Sequence, residues 1–222
     1  MIELDQRIAE QLTEITLNSS LQVRCGTSNA FLVTASLLEP LVTEFEMGGI
    51  YISASRPAPE LIDTLTEIGV PLGSIQFIDC VSSALLGGTE NPYTNISYID
   101  SPIMLESILL RTLFHLRQVP TEQNFVVLDS VNALAIYNEE RMLAEYLHTF
   151  INTFRARDVL TAVVTVPDQT PPGVLANLDL YCTDLIDRGQ VVISGGVSMK
   201  GMASYWTTGL IRLNLGRAQH SM

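Results

Sequence analysis

The chain has 222 residues, enough to bury a substantial core, and reads most economically as one domain over 1–222 with residues 1–18 forming an N-terminal helix packed on it. Twenty-four acidic side chains against twelve basic ones give a net charge of −12, so the average field repels phosphate backbones and nucleic acid is not an expected partner. The first residues carry acid and no apolar leader, no apolar run reaches membrane length, and Cys25, Cys80 and Cys182 form no C-x-x-C pair; the expectation is a cytoplasmic protein with no membrane contact.

Leu4, Ile8, Leu12 and Ile15 recur at near-helical spacing and predict an amphipathic helix over 3–17, ended by Asn18-Ser-Ser. Residues 21–25 read as a first strand stopped by Gly26, and 27–38 as the helix that follows, with Pro40 near its end or at a kink. Strand, glycine and helix is the layout of a phosphate-binding unit, but the chemistry is missing. A P-loop needs G-x-x-x-x-G-K-[ST]: glycines that let backbone N–H groups wrap a phosphate, a lysine to neutralise it and a hydroxyl for the metal. After Gly26 no glycine follows before Gly48, and the one lysine of the chain is Lys200. Asn29, Phe31 and Leu32 would crowd the space a triphosphate must occupy.

Residues 48–54 read as the second strand, with Pro57 and Pro59 in the first turn of a helix whose Leu61, Leu65 and Ile68 share a face. A third strand follows over 75–79, and residues 82–95, rich in Gly, Ser, Thr and Asn, form the longest unpatterned connection. Residues 96–99 are a short extended segment. Ser101-Pro102 reads as an N-cap and first helical residue, with Leu105, Ile108, Leu109 and Leu116 as the buried stripe.

Phe125, Val126, Val127 and Leu128 are consecutive and apolar, the pattern of a strand covered on both faces of a parallel sheet. They end on Asp129 and Ser130. Ligands of open α/β sheets bind beyond the carboxyl ends of the strands, and a strand-ending aspartate is how P-loop nucleotidases hold Mg²⁺; an aspartate that merely caps the next turn has the same sequence signature. A long helix begins at Asn138-Glu-Glu, with Met142, Leu143, Tyr146, Leu147, Phe150, Ile151 and Phe154 on one face and Arg155 and Arg157 at its end. Residues 161–166 form the next buried strand and Pro171-Pro-Gly a turn. Then 180–186, 191–194 and 210–215 read as closing strands, antiparallel around Gly195-Gly196. Met199, Met202, Tyr205 and Trp206 either close that sheet or furnish an apolar contact. His115, His148 and His220 are too scattered for a metal site, and Cys25 reads as a structural thiol.

Three segments in this order resemble the KaiC-like, RecA-superfamily ATPases, especially the small single-domain archaeal members. Gly49-Ile-Tyr-Ile-Ser-Ala-Ser-Arg-Pro-Ala-Pro-Glu-Leu61 is similar to that family's second strand, Phe77-Ile-Asp-Cys-Val-Ser82 to its next, and Phe125-Val-Val-Leu-Asp-Ser-Val-Asn-Ala-Leu134 to its Walker B segment. The resemblance spans about residues 20–190 and implies an α/β, three-layer RecA-like P-loop NTPase fold: a mostly parallel central sheet, helices on both faces and a C-terminal antiparallel strand pair. It sets Asp129 on the Walker B aspartate and Ser130 on the serine after it. Where the family has two acids acting on the attacking water, Ser55 and Arg56 stand here. Phosphoryl transfer is almost entirely positioning and charge neutralisation, so the loss of the phosphate cradle and of these acids implies no catalysis.

The expectation is therefore a catalytically inactive relative, signalling or scaffolding through a protein partner, which the resemblance suggests is an active family member or a homo- or hetero-oligomer. Its vestigial nucleotide site would comprise Gly26, Asp129 and Ser130, with no catalytic residue, no cofactor, and Asp129 as the metal ligand only if Mg²⁺ binds. One alternative is an ATPase or nucleotide sensor taking ATP and Mg²⁺ through main-chain groups, with Arg56 or Arg24 in place of the absent lysine; another is a recombinase-type DNA accessory protein, which the acidic balance disfavours. Ser198-Met-Lys-Gly201 faintly resembles a family segment that reaches a neighbouring subunit's nucleotide, although an exposed lysine is usually a solvated charge.

Overall fold

The computed structural model describes residues 4–16, 18–82 and 93–189, which belong to one compact unit. Seven strands are β1 (Ser20–Cys25), β2 (Gly48–Ser53), β3 (Ile75–Asp79), β4 (Ile96–Tyr98), β5 (Asn124–Asp129), β6 (Leu160–Thr165) and β7 (Asp184–Arg188). The helices are α1 (Gln6–Leu12), α2 (Ala30–Thr43), α3 (Ala58–Glu67), α4 (Leu105–Leu116), α5 (Val131–Ala135), α6 (Glu140–Arg155) and α7 (Pro172–Tyr181), with a 3₁₀ turn at Pro167–Gln169.

The sheet runs β4-β3-β2-β5-β6-β1-β7 and every pairing in it is parallel. Strand periodicity of two sorts its side chains into two cores. Val23, Tyr51, Phe77, Val127 and Val164 pack with α1, α2 and α3 on one face. Ile50, Ile52, Ile78, Val126, Leu128 and Val163 pack with α4, α5, α6 and α7 on the other. The chain steps from β1 through β2 to β3 in one direction and from β4 through β5 and β6 to β7 in the other, so the connections after β2 and after β5 leave to opposite faces. Such a reversal opens a crevice at the carboxyl ends of β2 and β5.

Several expectations are corrected. No antiparallel strand pair is seen among the described residues: Leu180 and Tyr181, expected in a strand, finish α7, and β7 pairs parallel with β1, from Leu21–Asp184 to Cys25–Arg188. A helical crossover returns the chain to the sheet in the direction it left, which forces the parallel pairing. Residues 191–194 and 210–215, with Lys200 and the Met199–Trp206 segment, lie outside the described residues, as do 83–92 of the long connection. Pro171-Pro-Gly is a helix start, with Pro172 at the first helical position. Helix α4 begins at Leu105, because Ser101–Met104 close a separate turn (Met104 N to Ser101 O, 3.0 Å) and the Pro102 carbonyl accepts from Asn138 Nδ2 at 3.2 Å. Helix α1 covers less than 3–17, being capped by Asp5, whose carboxylate accepts from Arg7 N.

Close packing sets its own residue requirements. A Cβ on Gly49 in β2 would meet the Phe125 carbonyl oxygen and lie 2.6 Å from ring carbon Cδ2 of the same residue, in the middle of the sheet. We expect Gly49→Ala to cost about 3 kcal/mol through overpacking that the paired strand cannot relieve, measured as a fall in the urea midpoint at unchanged slope.

Candidate functional site

At the crevice three polar residues stand in register across the strand ends: Asp79 on β3, Ser53 on β2 and Asp129 on β5. All three are buried, and strand parity points them to the face of α2 and α3. Ser53 Oγ donates to the Arg56 carbonyl at 2.6 Å. Asp79 accepts from Ala58 N at the start of α3 (2.7 Å), from Val81 N and Ser82 N (2.8 Å each) and from Ser82 Oγ (2.5 Å). The capping reading offered for Asp129 is thus realised at Asp79.

Asp129 has a different partner. The Tyr51 hydroxyl, from the adjacent strand β2, donates to its Oδ2. Both side chains are buried, Tyr51 completely. Burial raises the Asp129 carboxyl above its ordinary range, opposed by the Tyr51 hydrogen bond, the Arg56 charge and the Ser55 hydroxyl. The same burial, with Asp129 beside it, keeps the phenol protonated far above neutrality. Arg56 lies over the Phe31 ring, 5.4 Å from its centroid, at the first turn of α2. Ser130 is the buried residue before α5 and makes no side-chain cap bond; the Asp129–Ser130 peptide is cis.

Four residues, Gly26 to Asn29, link β1 to α2. Gly26 N donates to Asn29 Oδ1 at 2.7 Å and Asn29 N to the Gly26 carbonyl at 3.2 Å, so the turn is bonded to itself. Asn29 Nδ2 also donates to the Arg188 carbonyl at the end of β7 (2.8 Å). A Cβ on Gly26 would lie 3.0 Å from the Gly189 carbonyl oxygen, so glycine is kept there by the neighbouring backbone. Beside this turn Gln169 Nε2 donates to Thr27 Oγ1 (2.9 Å) and Gln169 Oε1 accepts from Asn132 Nδ2 (3.2 Å), a polar strap across the ends of β1, β6 and β5.

Cys25 points to the same face as Asp129, but burial, aided by Asp129, pushes its thiol up to about 12, and Sγ donates to the Thr165 carbonyl at 3.4 Å. It is no nucleophile at neutral pH. Arg24, one residue earlier, points to the opposite face and pairs with Asp179 of α7. It therefore cannot stand in for the missing lysine, whereas Arg56 faces the crevice. Among the described residues no group of three His, Cys, Asp or Glu side chains is placed to hold a metal ion, and no helix is long and apolar enough to cross a membrane.

The fit of Mg²⁺ and a nucleoside triphosphate is poor on these contacts. The carboxylate that would hold the cation is engaged by Tyr51, and the amide that would begin a phosphate cradle is engaged by Asn29. The sequence pointed to Gly26, Asp129 and Ser130 but not to Tyr51 or Asp79. The signal for Tyr51 was present, since a tyrosine inside a fully buried strand must find a hydroxyl partner.

No family model and no curated protein matches the chain. Solved structures do. A KaiC-like protein from the hyperthermophilic archaeon Pyrococcus horikoshii superposes with a TM-score of 0.55 at 13% identity, over 76% of this chain and 69% of that one. The flagellar accessory protein FlaH from Methanocaldococcus jannaschii gives 0.57 at 14%, over 83% and 77%. Another P. horikoshii protein gives 0.54 at 12%, over 80% and 85%. At such identities the likeness shows the fold, which is RecA-like with an all-parallel seven-stranded sheet among the described residues.

The raised Asp129 ionisation has a definite sign. A carboxyl whose folded pKa lies above its unfolded one contributes stability that is intact below the ordinary carboxylate range and is lost as pH rises through the folded value. Asp129→Asn removes that loss while keeping an acceptor for Tyr51. Its unfolding free energy relative to the native chain should therefore increase as pH rises above the ordinary carboxylate range, followed by urea denaturation at each pH; a constant difference would contradict the assignment.

Proposed function

We propose that the protein is a RecA-like domain that neither binds nor hydrolyses a nucleoside triphosphate and that acts as a regulatory or scaffolding module by contact with another protein. The observation that carries this reading is the Tyr51–Asp129 hydrogen bond, which puts a protonated phenol on the carboxylate that would otherwise hold a metal. The self-bonded Gly26–Asn29 turn supports it, as does Ser55-Arg56 where the resemblance sets two catalytic acids. Catalysis of phosphoryl transfer needs phosphate held, water activated and a metal held together, and of the three only the metal-holding part keeps its residue, Asp129, which Tyr51 engages here. On this reading Gly26, Asp129 and Ser130 are a vestige, no cofactor is needed, and the folded surface is what function uses.

A second reading has one observation in its favour. Arg56 is a cation at the rim of the crevice, stacked on Phe31 and near Asp129, where a phosphate could replace Asp129 as its counter-charge. The protein would then be a nucleotide sensor with a non-standard anion site.

Thermal unfolding with ATP and Mg²⁺ separates the two. A ligand at a hundred times its dissociation constant adds about 2.7 kcal/mol, which for a chain of this size is roughly 5–10 °C. The first reading expects a shift below about 1 °C at millimolar ATP·Mg²⁺ and no phosphate release by pure protein. If a shift appears, the second reading expects Arg56→Ala to abolish it and Arg24→Ala to leave it.

A further inference from the structure

Seven of the nine large apolar side chains that are exposed among the described residues sit on one side of the molecule. Leu110 and Phe114 lie on α4, with Ile103 and Met104 in the turn just before it; Ile136 and Tyr137 lie on the link from α5 to α6, and Met142 in the first turn of α6. The two groups are neighbours, because Asn138 in that link donates to the Pro102 carbonyl just before α4 and α4 packs on α6. Scattered apolar residues need no explanation, but a continuous patch of this kind marks a contact surface.

We infer that this face is where the chain pairs with a second copy of itself, through an antiparallel contact of two α4 helices flanked by the Ile136–Tyr137 link. The inference rests on the protein-binding reading above and gives it a surface. Three observations select a copy over an unrelated partner. First, α4 presents Ser107, Leu110 and Phe114 at three- and four-residue spacing on one side of the helix, with Ile103 in the turn just before it. An α4 turned end for end sets Phe114 against the partner's small Ser107, with the two Leu110 side chains meeting near the axis, the self-matching an isologous two-fold contact requires. Second, Glu106 lies in the first half of α4 and Arg111 and Arg117 at its second half and end, all exposed. End-for-end pairing brings the acidic half of one helix beside the basic half of the other and opposes their dipoles, which offsets locally the repulsion expected from a net charge of −12. Third, six of the seven side chains are more than half exposed. With side chains of roughly 200 Å² each, they offer on the order of 800 Å², the area one partner brings to a standard-sized specific interface.

The contact lies on the face of α4–α7, while the Asp129 carboxylate points to the face of α2 and α3. Pairing therefore does not depend on the state of the crevice.

Sedimentation equilibrium of the full chain, from about 1 to about 100 µM, tests the pairing. A monomer–dimer equilibrium is expected, and Leu110→Asp should weaken it by roughly 30-fold or more, because each substitution enters the interface twice. Leu110 is 66% exposed, so the variant should melt as the native chain does; Leu180→Asp, 80% exposed and off the patch, should leave the dimer unchanged. As a second readout, Ser107→Cys should be joined into a covalent dimer by a short bismaleimide, and not when Leu110→Asp is also present. A native chain that stays monomeric at about 100 µM, including one that instead holds a different protein on this face, overturns the inference. So does a dimer insensitive to both Leu110→Asp and Ile136→Asp. Failure here leaves the protein-binding reading standing, whereas a dimer that also takes up ATP·Mg²⁺ removes that reading and keeps this one.

Discussion

A carboxylate at the end of a buried strand must be satisfied by a cation, by backbone amides or by a hydroxyl, and the choice decides what the site can do. Here Asp79 takes amides and Asp129 takes the Tyr51 hydroxyl. The second choice depends on register. Ser53 is opposite Asp129, so Tyr51, two residues earlier on β2, shares its face and has the reach to place its phenol on the carboxylate. Burial then keeps that phenol protonated, so the bond holds across the whole neutral range.

Much of the carboxyl edge is organised around this closure. The Gly26–Asn29 turn engages the amides of Gly26 and Asn29 within itself and ties itself to the end of β7 through Arg188, whose guanidinium in turn reaches Asp5 (3.1 Å) and Gln11 (2.7 Å) at α1. The N-terminal helix, the turn and the last described strand are thereby one connected network. Thr27, Gln169 and Asn132 bind the other side. An edge of this kind spends its polar groups on itself, which is economical for stability and poor for holding a phosphate.

The two faces of the sheet have different fates. The face of α2 and α3 carries the crevice and its self-satisfied groups, whereas the face of α4–α7 carries the apolar patch at Ile103, Leu110, Phe114 and Ile136. A RecA-like fold can use either, since the fold fixes positions and leaves chemistry to the residues placed there.

Sequence alone determined the strands and the long helices where a local pattern is strong. The apolar run Phe125–Leu128, strand β3 and the periodic α6 are where periodicity and β-branching placed them, because burial on both faces of a strand, or on one face of a helix, writes itself into neighbouring positions. It also showed that the glycines and lysine of a phosphate loop are missing. It missed α7, whose buried positions are only Val174 and Leu178 while Leu180 is exposed, so no stripe announces a helix. It set Arg24 and Arg56 as equals, and only the strand's alternation, realised in the sheet, sent one to Asp179 and left the other at the crevice. The partner of Asp129 was likewise decided by tertiary structure. Tyr51 is 78 residues away in the chain, and parallel pairing of β2 with β5 is a non-local contact that no window of sequence contains.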